Sequence, residues 1–134
     1  MKRRWQRGTF LLQSVMAMAL FSVGALAVLM LSASAKRQAA DAHYRATASV
    51  LVGELAARMR LGPRDAGALA AQYGANGAGA SRFVADAALV LPNVAGHPPE
   101  IAIDADGNVV IRLRWQAPGD ATAHQYVAAT RIAD

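Results

Sequence analysis

The chain has 134 residues, fourteen Lys or Arg against nine Asp or Glu, a net charge of +5 and no cysteine. That length holds one small domain and an anchor but not two cores, and the lack of cysteine excludes thiol catalysis, Cys-ligated zinc and iron–sulfur sites. The basic excess is placed wrongly for a nucleic-acid-binding face, which needs cations clustered on folded structure. Lys2, Arg3, Arg4 and Arg7 stand ahead of an apolar run, and from Thr9 onward ten cations meet nine anions.

The apolar run comes first in chain order. No charged residue occurs between Gly8 and Ala35. As a helix this stretch would be roughly 40 Å long, more than the ~30 Å hydrocarbon core of a bilayer requires. The basic residues before it would hold the N-terminus on the cytoplasmic side. A secretory signal is the rival reading, with a cut after Ala33-Ser34-Ala35 releasing a chain that begins at Lys36. The apolar stretch is about twice the 7–15 residues of a signal's hydrophobic part, which favours an anchor. Gly24, midway along, costs about 1 kcal/mol relative to Ala in a helix interior. It would serve either close helix packing or local loosening on assembly.

The helical pattern continues past Ala35. Ala40, Tyr44, Ala48, Leu51, Leu55 and Met59 recur at steps of three or four and form one stripe. Lys36, Arg37, Asp41, Arg45, Glu54, Arg58 and Arg60 fall mostly off it. Arg58 and Arg60 suit the last turn of a helix that Gly62-Pro63 ends. One helix of about fifty residues thus changes character near Lys36, apolar on all sides before it and amphipathic after it.

Beyond Pro63 the chain is rich in Ala and Gly. Asp65 to Tyr73 reads as a short helix, Asn76 to Ala80 as a flexible loop, and Ser81 to Leu91 as a second short helix capped by Ser81 and ended before Pro92. The last 35 residues read as β. Two alternating segments flank Asp106-Gly107, a hairpin signal. Val109, Ile111, Leu113 and Trp115 share one side of the second segment, with Val110, Arg112, Arg114 and Gln116 on the other. Tyr126, Ala128, Thr130 and Ile132 alternate as a third strand. A three-stranded meander with one apolar face has to be covered, and the stripe from Tyr44 to Met59 is the evident partner.

Chemistry is sparse. His43, His97 and His124 have no ligand spacing, and no metal or cofactor is expected. Asp104 to Asn108, "DADGN", resembles a calcium loop but lacks the downstream acidic ligand of an EF-hand; a hairpin turn accounts for it without an ion. Ser14 and Ser22 lie in the apolar run with no base nearby. Arg112 and Arg114 would form a basic strip on the sheet's outer side. No acid–base pair, phosphate loop or nucleophile constellation marks an enzyme.

Three segments carry a family resemblance: "RG" followed by "TFLLQSVMAMALFSVGALAVLML", then "ASVLVGELAARMRLGP", then "VVIRLRWQAPGD". They resemble the type IV minor pilins, in particular those of the PilV type, over about half the chain. The resemblance implies an α+β, pilin-like fold with one long N-terminal helix on a small antiparallel sheet. Residues 1–8 would be a prepilin leader, 9–35 the transmembrane and assembly half of the helix, and 36–61 its amphipathic half. A variable region would follow at 62–99 and the sheet at 100–134. It further implies cleavage between Gly8 and Thr9, N-methylation of Thr9, and assembly contacts through Phe10, Gln13 and Gly24. The implied partners are a prepilin peptidase, the major pilin and other minor pilins, the inner-membrane assembly platform and a tip adhesin. Two positions depart from the family: Thr9 and Phe10 stand in exchanged order, and Gln13 replaces a Glu that in the family neutralises a neighbouring subunit's amine. Pseudopilins of type II secretion share the leader and helix and are one alternative. An envelope binding module with a generic signal or anchor is another.

Overall fold

Residues Trp5–Leu61 form a single α-helix, α1, in the computed structural model, which describes residues 5–132 of the chain. Lys2, Arg3 and Arg4 of the expected leader lie outside the described residues. Two shorter helices follow, α2 (Ala66–Tyr73) and α3 (Ala78–Val90), then strands β1 (Glu100–Ile103), β2 (Asn108–Trp115) and β3 (His124–Arg131). Among the described residues the strands form one antiparallel sheet in the order β1-β2-β3. The architecture is α+β, as the patterning predicts. The chain divides into two compact units, Met1–Ala40 and Asp41–Asp134.

In the first unit the side chains described from Gly8 onward are exposed, Ser14 alone being half-buried. Two hydroxyls along it bond back to the helix: Ser14 Oγ donates to the Phe10 carbonyl at 2.9 Å and Ser22 Oγ to the Met18 carbonyl at 2.8 Å. Such bonds satisfy these two hydroxyls within the helix, which suits an apolar medium.

The second unit holds a core. Ala48, Val52, Leu55 and Met59 of α1 are buried with Val109, Ile111, Leu113 and Trp115 of β2. Tyr44 and Leu51 of the expected stripe are half-buried, whereas Ala40 is exposed and belongs to the first unit. Val52 joins the buried set because the stripe is wider than one residue per turn. The β2 burial alternates without a break, and its four inward residues are fully buried. Ile101 and Ile103 of β1 pair opposite Ile111 and Val109, while Tyr126 and Thr130 of β3 pair opposite Leu113 and Val109. All point to the same side, so helix and sheet bury each other.

The end of α1 is tied from three directions. Arg58 donates to Glu54 at 2.7 Å and reaches Asp86 of α3 at 3.5 Å. Glu54 first, then Asp86, raise the Arg58 guanidinium further above its ordinary range. Arg60 donates to Thr130 Oγ1 of β3 at 2.9 Å.

Residues 62–99 depart most from expectation. The loop expected at Asn76 to Ala80 is confined to its first two residues, because α3 already begins at Ala78. Its N-cap is Gly77 and not Ser81, which lies one turn inside the helix and donates its hydroxyl to the Gly77 carbonyl at 3.1 Å. Gly77 is buried, and a Cβ there would collide with the Gln72 carbonyl. Close approach between α2 and α3 therefore selects glycine at a position where a side-chain cap would otherwise serve. For α2 the sequence signal is direct: Asp65 caps it by accepting from the Ala68 amide at 2.8 Å.

Candidate functional site

The sequence-derived site residues all lie in the first unit. Gly8 and Gly24 are helical, and a Cβ at either would meet nothing within 4 Å. Thr9 and Gln13 are exposed, and Phe10 is 69% exposed. The helix brings these residues together in a way that spacing along the sequence does not display. At about 100° per residue, Thr9, Phe10, Gln13 and Gly24 fall within a sector of about 100° on one side of α1. Leu20 and Leu31 lie within that sector too. The side thus presents one amide among apolar groups and, at Gly24, a notch where another backbone can approach.

This half of α1 is long and apolar enough to cross a membrane: its best window has a mean hydropathy of 2.3 and none of that window is buried. Phe10, Leu20, Phe21, Met18 and Leu31 are among the exposed large side chains. A contiguous apolar surface of this extent is rare on a monomer in water, and such surfaces commonly meet lipid or other protein.

The second unit carries the polar features. At the β1–β2 hairpin, Asp104 Oδ1 accepts from the amides of Asp106 at 3.0 Å and Asn108 at 2.8 Å, and Oδ2 accepts from Asn108 Nδ2 at 2.8 Å. Gly107 takes a left-handed φ of 75°, as the turn requires. The "DADGN" motif is therefore a self-capped turn whose leading carboxylate has both oxygens engaged. Asn108, by side chain and then by backbone, holds the Asp104 carboxyl below its ordinary range, with smaller help from the Asp106 amide and Arg131. Because the folded value is depressed, the contribution is present above the unfolded value and is lost as pH falls through the folded one. Asp104→Ala is expected to remove part of the acid sensitivity. Thermal melts between pH 7 and pH 3 check this: the gap between wild type and variant narrows as the pH falls below about 4.

On the outer side of the sheet, Glu100 binds both Arg112, at 2.7 Å, and Arg114. The expected strip of two cations is thus a trio with a carboxylate between them, of net charge +1. Beside it a groove of about 570 Å³ is lined by Tyr73, Val84, His97, Pro99, Ile101 and Arg114 among others. His97 Nε2 is 3.4 Å from Gln116 Oε1. His43 lies beside Tyr44, with ring centroids 6.1 Å apart. His124 sits against Trp115 and two carboxylates, Asp120 four residues before it and Asp41 of α1, the latter with no signal in the local sequence. Among the described residues, no three His, Cys, Asp or Glu side chains gather closely enough to hold a metal.

Fold and site together define a class: an α+β domain whose first helix extends into an apolar stretch fit for membrane or helix-bundle contact. No family model, curated protein or solved structure matches the chain.

Proposed function

We propose that this protein is a minor subunit of a type IV pilus, a low-abundance structural component that helps initiate or cap the filament for motility and adhesion. The observation that supports this reading is the exposed, uncharged half of α1, continuous in sequence with the amphipathic half that covers the sheet. A subunit of this kind needs one helix to serve two media in succession, lipid before assembly and other helices after it.

In this reading a prepilin peptidase cuts between Gly8 and Thr9, and Thr9 is methylated at its new amine. The helix stands in the inner membrane with its N-terminus cytoplasmic and the second unit periplasmic until the subunit joins the filament. Phe10, Gln13 and Gly24 form the side that meets other pilins. An ammonium in an apolar bundle is costly without a partner, and Gln13 offers a neighbour's amine a hydrogen-bond acceptor without charge. The protein works as a scaffold and not as an enzyme.

Mass spectrometry of the protein recovered from its native envelope tests the reading. A mature chain starting at methylated Thr9 is the expected result. A chain starting at Lys36 would make it a released envelope module, and an intact Met1 would make it a plain anchor; either overturns the proposal.

A further inference from the structure

We infer that Asp41, His124 and Asp120 form a proton-operated clasp that fastens the segment between β2 and β3 to α1. The segment, residues 116–123, contains a turn in which the Asp120 amide donates to the Ala117 carbonyl at 3.1 Å, with Pro118 and Gly119 at its corner and Gly119 at φ 90°. Pro followed by a left-handed Gly is the requirement of a type II turn, so the position of Asp120 is set by the backbone. Gln116 Nε2 donates to the Asp120 carbonyl at 2.9 Å and closes the segment on itself.

His124 opens β3 at the far end of that segment. Its ring lies nearly parallel to Trp115, with centroids 6.0 Å apart and planes 22° apart. Trp115 is fully buried, so the imidazole has a rigid floor. Nε2 is 2.9 Å from Asp120 Oδ2, and Nδ1 is 3.6 Å from Asp41 Oδ1 on α1. Nε2 is therefore within hydrogen-bond distance of Asp120, while Nδ1 has Asp41 at ion-pair distance. Asp41 of α1 and the stretch from Trp115 to His124, far apart in sequence, meet at one ring.

The chemistry of the ring makes the arrangement state-dependent. A neutral imidazole carries one N–H and one lone pair, so it can donate to only one of the two carboxylates and turns a lone pair to the other. The imidazolium has two N–H groups and can donate to both, with the added strength of charged partners. Among the described residues, the charged groups paired with the ring or its carboxylates are Asp120 of the segment and Asp41 and Arg45 of α1. Arg45 lies 3.3 Å from Asp41 and offsets part of its charge in either state. Histidine is the side chain that changes charge between pH 5 and 8. In acid the clasp closes on both sides, and toward alkaline pH one side is released.

The test uses the full chain in detergent micelles with Trp5→Phe, which leaves Trp115 the sole indole. Indole emission is followed from pH 5 to pH 8.5, and nitrogen-resolved NMR follows the His124 ring N–H protons. Emission is expected to rise as the stacked imidazolium loses its proton, and His124→Gln should abolish the rise. At pH 5 both ring N–H protons should resist exchange with water; Asp41→Asn should remove that protection at Nδ1 alone and Asp120→Asn at Nε2 alone. Emission that ignores pH, or changes equally in His124→Gln, overturns the inference. So does ring N–H exchange that neither Asp variant alters. If His124→Gln fails to fold, the two Asp variants decide it.

Discussion

Trp115→Ala is expected to destabilise the second unit by about 3 kcal/mol, the low end of the range for large aromatic truncations in a core. Trp115 is fully buried in the core that β2 shares with α1, and removing its side chain leaves a cavity there. The value falls at the low end because Trp115 Nε1 is itself buried without a hydrogen-bond partner among the described residues. Removing a buried, unsatisfied donor returns part of a penalty of about 1–3 kcal/mol. A small domain has a total stability of about 5–15 kcal/mol, so the loss is a large share of it. Denaturant titration followed by circular dichroism measures the change. Val127→Ala on the outer side of β3, 46% exposed, is the control and should stay within about 0.5 kcal/mol. Equal effects at the two positions would refute the assignment of Trp115 to the core.

The second large effect concerns the apolar half of α1. Eleven Leu, Val and Phe residues lie between Gly8 and Ala35. At about −0.3 to −0.6 kcal/mol each, they favour membrane insertion by about 3–7 kcal/mol in total. One arginine at the centre costs about 2.5–3.5 kcal/mol and would leave most of the protein inserted. Two cost about 5–7 kcal/mol and cancel the preference. Leu20→Arg alone should therefore remain mostly in the membrane fraction, whereas Leu20→Arg with Val23→Arg should move to the soluble or aggregated fraction. Alkaline extraction of membranes followed by immunoblotting reads the partition. A double variant that resists extraction as the wild type does would show that the helix stays integrated in the bilayer despite two arginines, and would overturn this expectation. That outcome would leave the fold of the second unit untouched, since its core takes nothing from residues before Ala40.

The first prediction rests on residues whose roles are visible in periodicity. Val109, Ile111, Leu113 and Trp115 alternate, and alternation requires one face of a strand to be inside. Glu54 and Arg58 form the i, i+4 pair that their spacing announces, at 2.7 Å. Asp65 caps α2 because a short side chain with an acceptor stands where the helix has free amides. These are local constraints, and local constraints are written in neighbouring residues. The Ala- and Gly-rich stretch is different. Its small side chains carry little periodic contrast, so the start of α3 is decided by how closely Gly77 and Gly79 approach Gln72 and Tyr73. A flexible loop and a tightly packed helix entry share the same composition there.

Of the candidate site, the length and apolar character of Gly8 to Ala35 follow from the sequence alone, because hydropathy and helix rise need no partner to be evaluated. The helix–sheet arrangement was also within reach, since an apolar stripe and an apolar sheet face in one small domain have few other places to go. Only the tertiary structure decided that Glu100 binds two arginines, that Val52 joins the core, and that Asp41 and Asp120 bracket His124 over Trp115. The physical reason is separation. Burial preference and secondary structure are properties of a window of residues, whereas an ion pair or a ring between two carboxylates depends on distances of a few ångströms between segments that the chain itself keeps far apart.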